Sequence, residues 1–234
     1  MGRAFEFRRA RKEKRWGKMA VAFTKLSQEI TLATKKGGPD PATNLRLRVA
    51  IESAREVNMP KDKIEGAIKR ASSKDTIIEE VVYEGYGPHG IAIVVETATD
   101  NPTRTVGNIR SYFTHAGGTL GTTGSLDFLF ERKGVTRFPG GNLNLEALEL
   151  ELIDHGAEEF IVDEGTVYVY TSFNDFTGMQ KALEGKGVVV TSAEVQRIPT
   201  STTELPEIKA KDVQGLIDRL EDDEDVQSVW HNMG

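Results

Sequence analysis

The hydrophobic pattern changes period once, near residue 75, and this change restricts the folds open to the chain more than any other feature. Before it, apolar residues recur at helical spacing; after it, β-branched and aromatic runs alternate with turn signals and shorter helical stretches. Trp16, Met19, Ala20, Phe23, Leu26, Ile30 and Ala33 predict an amphipathic helix over 16–35, stopped by Gly37-Gly38. Asp40-Pro41 reads as an N-cap followed by a first-turn proline, opening a second helix to about Val57 with Leu47, Ala50, Ile51 and Ala54 inside. Asn58-Met59-Pro60 breaks the chain, and Ile64, Ala67, Ile68 and Ala71 give a third helix its apolar stripe. Residues 3–15 carry charge at most positions and, alone, are expected to form a mobile arm or a frayed helix.

Residues 77–85 and 91–98 read as a hairpin, and Asp100-Asn101-Pro102 as the cap of a helix reaching about His115. The loop GGTLGTTGS and a strand LDFLFER follow. Residues 134–198 then spell strand, helix, strand, strand, helix, strand, the split-βαβ or ferredoxin-like order. After a linker at 199–206, the tail offers one helix (Val213, Leu216, Ile217, Leu220) and one short strand (Val226 to Trp230). A helix and a strand cannot bury a core of their own, so they are expected to complete the earlier hairpin sheet. The expected class is α+β in three domains: a helical bundle at 1–75, an α/β sandwich from 76–133 plus 199–234, and an inserted ferredoxin-like sandwich at 134–198.

Charge divides at the same point. Residues 1–74 hold 19 Lys and Arg against 8 Asp and Glu, a net of +11, while the remainder holds 11 against 28, a net of −17. A cationic head on an anionic body attracts a polyanion head first, and nucleic acid is the expected partner. The candidate contacts are Arg8, Arg9, Arg11, Lys12, Lys14 and Arg15 in the arm, then Lys18, Lys25, Lys35, Lys36, Arg46 and Arg48. About six phosphate contacts imply a slope of log affinity against log salt near −4 to −5. Glu29 and Glu52 lie among these cations and can pair with some of them. Phe5 and Phe7 suit stacking on unpaired bases or packing, and Trp16 packing. The second and third helices have helix-turn-helix spacing, but the third opens with Lys61, Asp62 and Lys63 and lacks a set of base-edge readers.

Other motifs read as structure. Gly85, Gly87 and Gly90 spell G-x-G-x-x-G, yet a strand follows where a dinucleotide site needs a helix. Gly118, Gly121 and Gly124 also feed a strand. His89, His115, His155 and His231 have no ligand spacing, and the acidic run Glu221 to Asp225 reads as a solvated turn. No cofactor or metal is expected. With no cysteine, thiolate metal sites, disulfides and cysteine nucleophiles are excluded. No apolar run approaches a bilayer span, no signal-peptide core opens the chain, and a cytoplasmic, monomeric protein is expected. Arg104 is the one polar residue of the body singled out for test.

The stretches FTKLSQEIT (23–31), NLRLRVAIESAREVNMPKDKIEGAIKRA (44–71), YEGYGPHGIAIVVETATDNPTRTVGNIR (83–110), GGTLGTTGSLDFLF (117–130) and LIDRLEDDEDVQSVWHN (216–232) resemble the YebC/PmpR family, which includes the mitochondrial translational activator of cytochrome oxidase. Many members begin with a Gly-His-Ser-Lys-Trp segment, where this chain has MGRAFEFRRARKEKR. The resemblance implies three domains and no catalysis. It also implies either a DNA-binding transcriptional regulator or a ribosome-associated factor that relieves stalling, notably at proline runs. The reading is a non-enzymatic nucleic-acid-binding regulator of gene expression, acting on DNA, with ribosomal RNA as the alternative target. An enzyme using an inter-domain cleft around Arg104 or His115 is the remaining alternative.

Overall fold

The computed structural model describes residues 3–71, 73 and 78–234, and for residues 3–17 the course of the helix without its side chains. By its internal contacts the chain divides into two units, Met1–Leu126 with Thr202–Gly234, and Asp127–Ser201.

The first unit begins with α1 (Arg3–Gly37), α2 (Leu45–Glu56) and α3 (Lys61–Ala71). Helix α1 starts thirteen residues before the expected Trp16, because 3–15 contains no glycine or proline and is rich in Arg, Lys, Glu and Ala, all good helix formers. Helix α2 starts later than expected. Asp40 closes a turn by accepting from the Ala42 N–H at 2.9 Å, and the cap falls to Asn44, whose Oδ1 accepts from the Leu47 N–H at 3.1 Å. The Asn44 Nδ2 donates to the carbonyls of Ala33 and Gly38, both at 2.8 Å, so one buried amide ends one helix and starts the next. Ile30 and Ala33, Leu47, Ala50, Ile51 and Ala54, and Met59, Ile64 and Ala67 form the bundle core.

Next come β1 (Glu79–Tyr86), β2 (Ala92–Thr99), α4 (Pro102–His115) and β3 (Thr119–Leu120), and after the second unit α7 (Glu207–Glu221) and β8 (Val226–His231). The sheet order is β3-β1-β2-β8, antiparallel throughout. The tail strand thus lies beside β2, with Val95 opposite Val229. Ile93, Val95, Ile109, Phe113, Val213, Leu216, Ile217 and Leu220 join in one core between this sheet and the two helices. Burying side chains of this size contributes roughly 1.5–3 kcal/mol each.

The glycine-rich turns are close-packed backbone. A Cβ on Gly85 would lie 2.5 Å from the Thr119 carbonyl oxygen, and one on Gly118 2.5 Å from that of Tyr86. The predicted strand LDFLFER does not form as such. Asp127–Leu129 is a 3₁₀ turn, and a single strand, β4 (Phe130–Pro139), absorbs both its end and GVTRFP. The physical reason is Glu84. Its buried carboxylate accepts the N–H groups of Gly124 at 2.8 Å and Leu126 at 2.7 Å, which holds 124–126 as a loop.

The second unit continues with α5 (Leu145–Ile153), β5 (Ala157–Asp163), β6 (Thr166–Ser172), α6 (Phe176–Gly185) and β7 (Ser192–Pro199). Its antiparallel sheet has the order β5-β6-β4-β7, the split-βαβ topology expected from the alternation of its elements. Phe138, Val167 and Val169 on the sheet meet Leu148, Leu152, Met179 and Leu183 on the helices. Gly134 is where α6 comes closest: a Cβ there would lie 2.3 Å from the Phe176 ring.

Candidate nucleic-acid interface

The helical head follows from its sequence pattern. The apolar stripes of α1, α2 and α3 turn inward to one core, so the cations between them must face outward or toward the rest of the first unit. The side chains of Arg8, Arg9, Arg11, Lys12, Lys14 and Arg15 lie outside the described residues, as do those of Phe5, Phe7 and Trp16, and Lys74. Lys18 and Lys35 are exposed, and Arg48 is half-buried.

Three more of the candidates, Lys25, Lys36 and Arg46, meet carboxylates or a carbonyl of the first unit. Lys25 is partly buried and donates from Nζ to the Glu221 carbonyl at the C-terminus of α7. Burial pushes its pKa down, opposed by the nearby charges of Glu221, Asp223 and Asp222. Lys36 pairs with Glu80. Arg46 clasps Glu29 through Nε and Nη2 at 2.7 and 3.0 Å, and its Nη2 also reaches Glu80 at 3.0 Å.

The expected contacts do not include the cations of α3. Lys61, Lys63, Lys69 and Arg70 are exposed along that helix, with Arg55 exposed on α2. Lys63 also lies over the Phe23 ring, 5.2 Å from its centroid. The seven-residue spacing from Lys63 to Arg70 was the available signal, since it puts both on one helical face.

A polar cleft of about 540 Å³ lies in the first unit. One wall is the α1 stripe Thr24, Ser27, Gln28 and Thr31; the other includes Arg104, Asn108 and the turn Asp223 to Asp225. The turn is solvated as expected at Glu221, Asp222 and Glu224, which are exposed, but not at its other two carboxylates. Asp225 is buried and accepts from Arg104 and from the Thr105 hydroxyl at 2.8 Å. Asp223 accepts from the Tyr112 hydroxyl at 2.8 Å. These carboxylates are committed to holding the fold. His115 bonds to Ser111 on its own helix, and His89 pairs with Asp212. Among the described residues, no group of three or more His, Cys, Asp or Glu is arranged to hold a metal ion.

Two family models match the chain. One, described as the TACO1/YebC protein N-terminal domain, covers residues 3–74; the other, described as the TACO1/YebC second and third domain, covers residues 78–233. A protein of Cytophaga hutchinsonii named probable transcriptional regulatory protein is 56% identical over 100% of this chain and 98% of its own. One of the same name from Porphyromonas gingivalis is 55% identical, over 100% of this chain and 97% of its own. The crystal structure of a conserved hypothetical protein from Aquifex aeolicus superposes with a TM-score of 0.77 at 39% identity, covering 92% of this chain and 90% of that one.

Proposed function

Because the chain belongs to the TACO1/YebC family, we propose that it is a non-enzymatic nucleic-acid-binding regulator of gene expression, acting on DNA in transcription. Its relatives carry the name probable transcriptional regulatory protein. The observation that carries the reading is the charge division, a net of +11 in residues 1–74 against −17 in the rest. The exposure of Lys18, Lys35, Arg55, Lys63, Lys69 and Arg70 supports it, since cations at the surface of the head can meet phosphates. In this reading residues 1–75 are the binding head, and 76–133 with 199–234, and the inserted 134–198, carry the acidic excess. The protein works as a cytoplasmic monomer. Among the described residues no helix is long and apolar enough to cross a membrane.

A second reading, docking on ribosomal RNA, is favoured by one observation. Helix α3 opens with exposed Lys61 and Lys63 on either side of Asp62 and lacks a set of base-edge readers, so its two lysines suit phosphate contact better than base-edge readout.

Crosslinking in cells with sequencing of the bound nucleic acid separates the two: a set of promoters supports transcription, and ribosomal RNA supports translation. In vitro, replacing Lys18, Lys35, Lys63 and Arg70 together by Gln in the full chain should weaken binding uniformly across sequences. The salt slope should shrink by about 1 for each phosphate that the variant no longer neutralises. Unchanged affinity would mean that these four cations do not contact the nucleic acid, and unchanged affinity after Arg8, Arg9, Arg11, Lys12, Lys14 and Arg15 are replaced as well would overturn the head as the binding surface.

A further inference from the structure

Lys36 stands in the last turn of α1 and Arg46 in the first turn of α2, and both converge on one carboxylate. Glu80, at the start of β1, gives Oε2 to Lys36 and Oε1 to Arg46. Glu29 accepts from Nε and Nη2 of Arg46 through both its oxygens, shares Nη2 with Glu80, and so fixes the direction of the fork. Lys36, Arg46 and Glu80 remain accessible, with side chains 55%, 42% and 40% exposed, while Glu29 is 27% exposed. Helix α2 has no acidic residue in its first turn, so the positive end of its dipole adds to the two cations.

An anion with two charged oxygens, one facing each cation, is what this arrangement holds. A backbone phosphate offers the same pair of oxygens. We propose that Lys36 and Arg46 form a phosphate-binding site for a nucleic-acid strand, and that Glu80 occupies it in the free protein as an internal competitor. The proposal rests on the reading of the head as a nucleic-acid binder and deepens it to one site. Half-exposed ion pairs are weak, so a phosphate displaces Glu80 at modest cost. The displaced carboxylate then lies close to the bound strand and lowers its affinity.

The test uses the full chain, with labelled mixed-sequence single-stranded RNA and duplex DNA and fluorescence anisotropy at several salt concentrations. Glu80→Gln should bind about three- to tenfold more tightly at low salt. Glu79→Gln makes the same change of charge at the adjacent exposed position, on the opposite face of the strand, and should change affinity by less than about twofold. Adding Lys36→Gln and Arg46→Gln should abolish the gain from Glu80→Gln. Equal shifts from Glu79→Gln and Glu80→Gln would overturn the proposal, since net charge alone would explain them. So would an unchanged Glu80→Gln in a protein whose binding still depends on Lys18, Lys63 and Arg70; the reading of the head would then survive. Absence of binding to either probe, by parent and variants alike, would overturn both together.

Discussion

Arg104 donates through Nη2 to both carboxylate oxygens of Asp225, at 3.0 and 2.9 Å, across 121 residues of sequence. The same nitrogen reaches Asp100 at 2.9 Å. This pair ties α4 to the turn before β8, and so ties the tail to the sheet that it completes. The two partners are unequal, because Asp225 is 4% exposed while the Arg104 side chain is 47% exposed. Arg104→Met should therefore cost about 3 kcal/mol, since it strands a buried carboxylate. Asp225→Asn should cost about 2 kcal/mol, because the arginine turns to water. The double variant should cost less than the sum, as urea denaturation of all three will measure.

Asn44→Ala removes a cap and two tethers at once. It should lower stability by about 2 kcal/mol, against about 1 kcal/mol for an isolated cap. Asn44→Asp keeps the acceptor for the Leu47 N–H but loses the donors to Ala33 and Gly38, and should fall between. Thermal melts of the three proteins check the order.

Glu84→Ala should cost about 2–3 kcal/mol, because it leaves the N–H groups of Gly124 and Leu126 without their acceptor. Hydrogen exchange should rise at 124–126 more than in α4. Equal exchange in both regions would show that the carboxylate does not hold the loop.

Tyr112 predicts an alkaline limit. Burial, then its hydrogen bond to Asp223 and the charge there, push its hydroxyl pKa up to about 12. The unfolded value is about 10. A raised folded pKa contributes stability that is complete below pH about 10 and lost as pH rises through about 12. Tyr112→Phe should cost about 1 kcal/mol at pH 7 and flatten the decline above pH 10, measured by urea denaturation across that range.

Much of this architecture could be read from the chain. The apolar stripes of 16–71 located the helical core, since a stripe at helical spacing has only one face to bury. The period-two runs and their order located both sheets, and the coreless tail had to complete the hairpin sheet, which it does by pairing β8 with β2. The boundaries that failed did so at long-range polar contacts. Asn44 took the cap from Asp40 because it also reaches Ala33, and the start of LDFLFER left the strand because Glu84 lies 42 residues from Leu126 in sequence but holds its backbone.

The sequence by itself determined the separation of charge, the class of fold and the concentration of cations before residue 75. Only the tertiary structure decided which of those cations are committed within the chain, with Lys25 set on the end of α7 and Lys36 and Arg46 sharing Glu80. The reason is physical: net charge and periodicity are sums over neighbours along the chain, whereas an ion pair depends on distance in space, which folding alone sets.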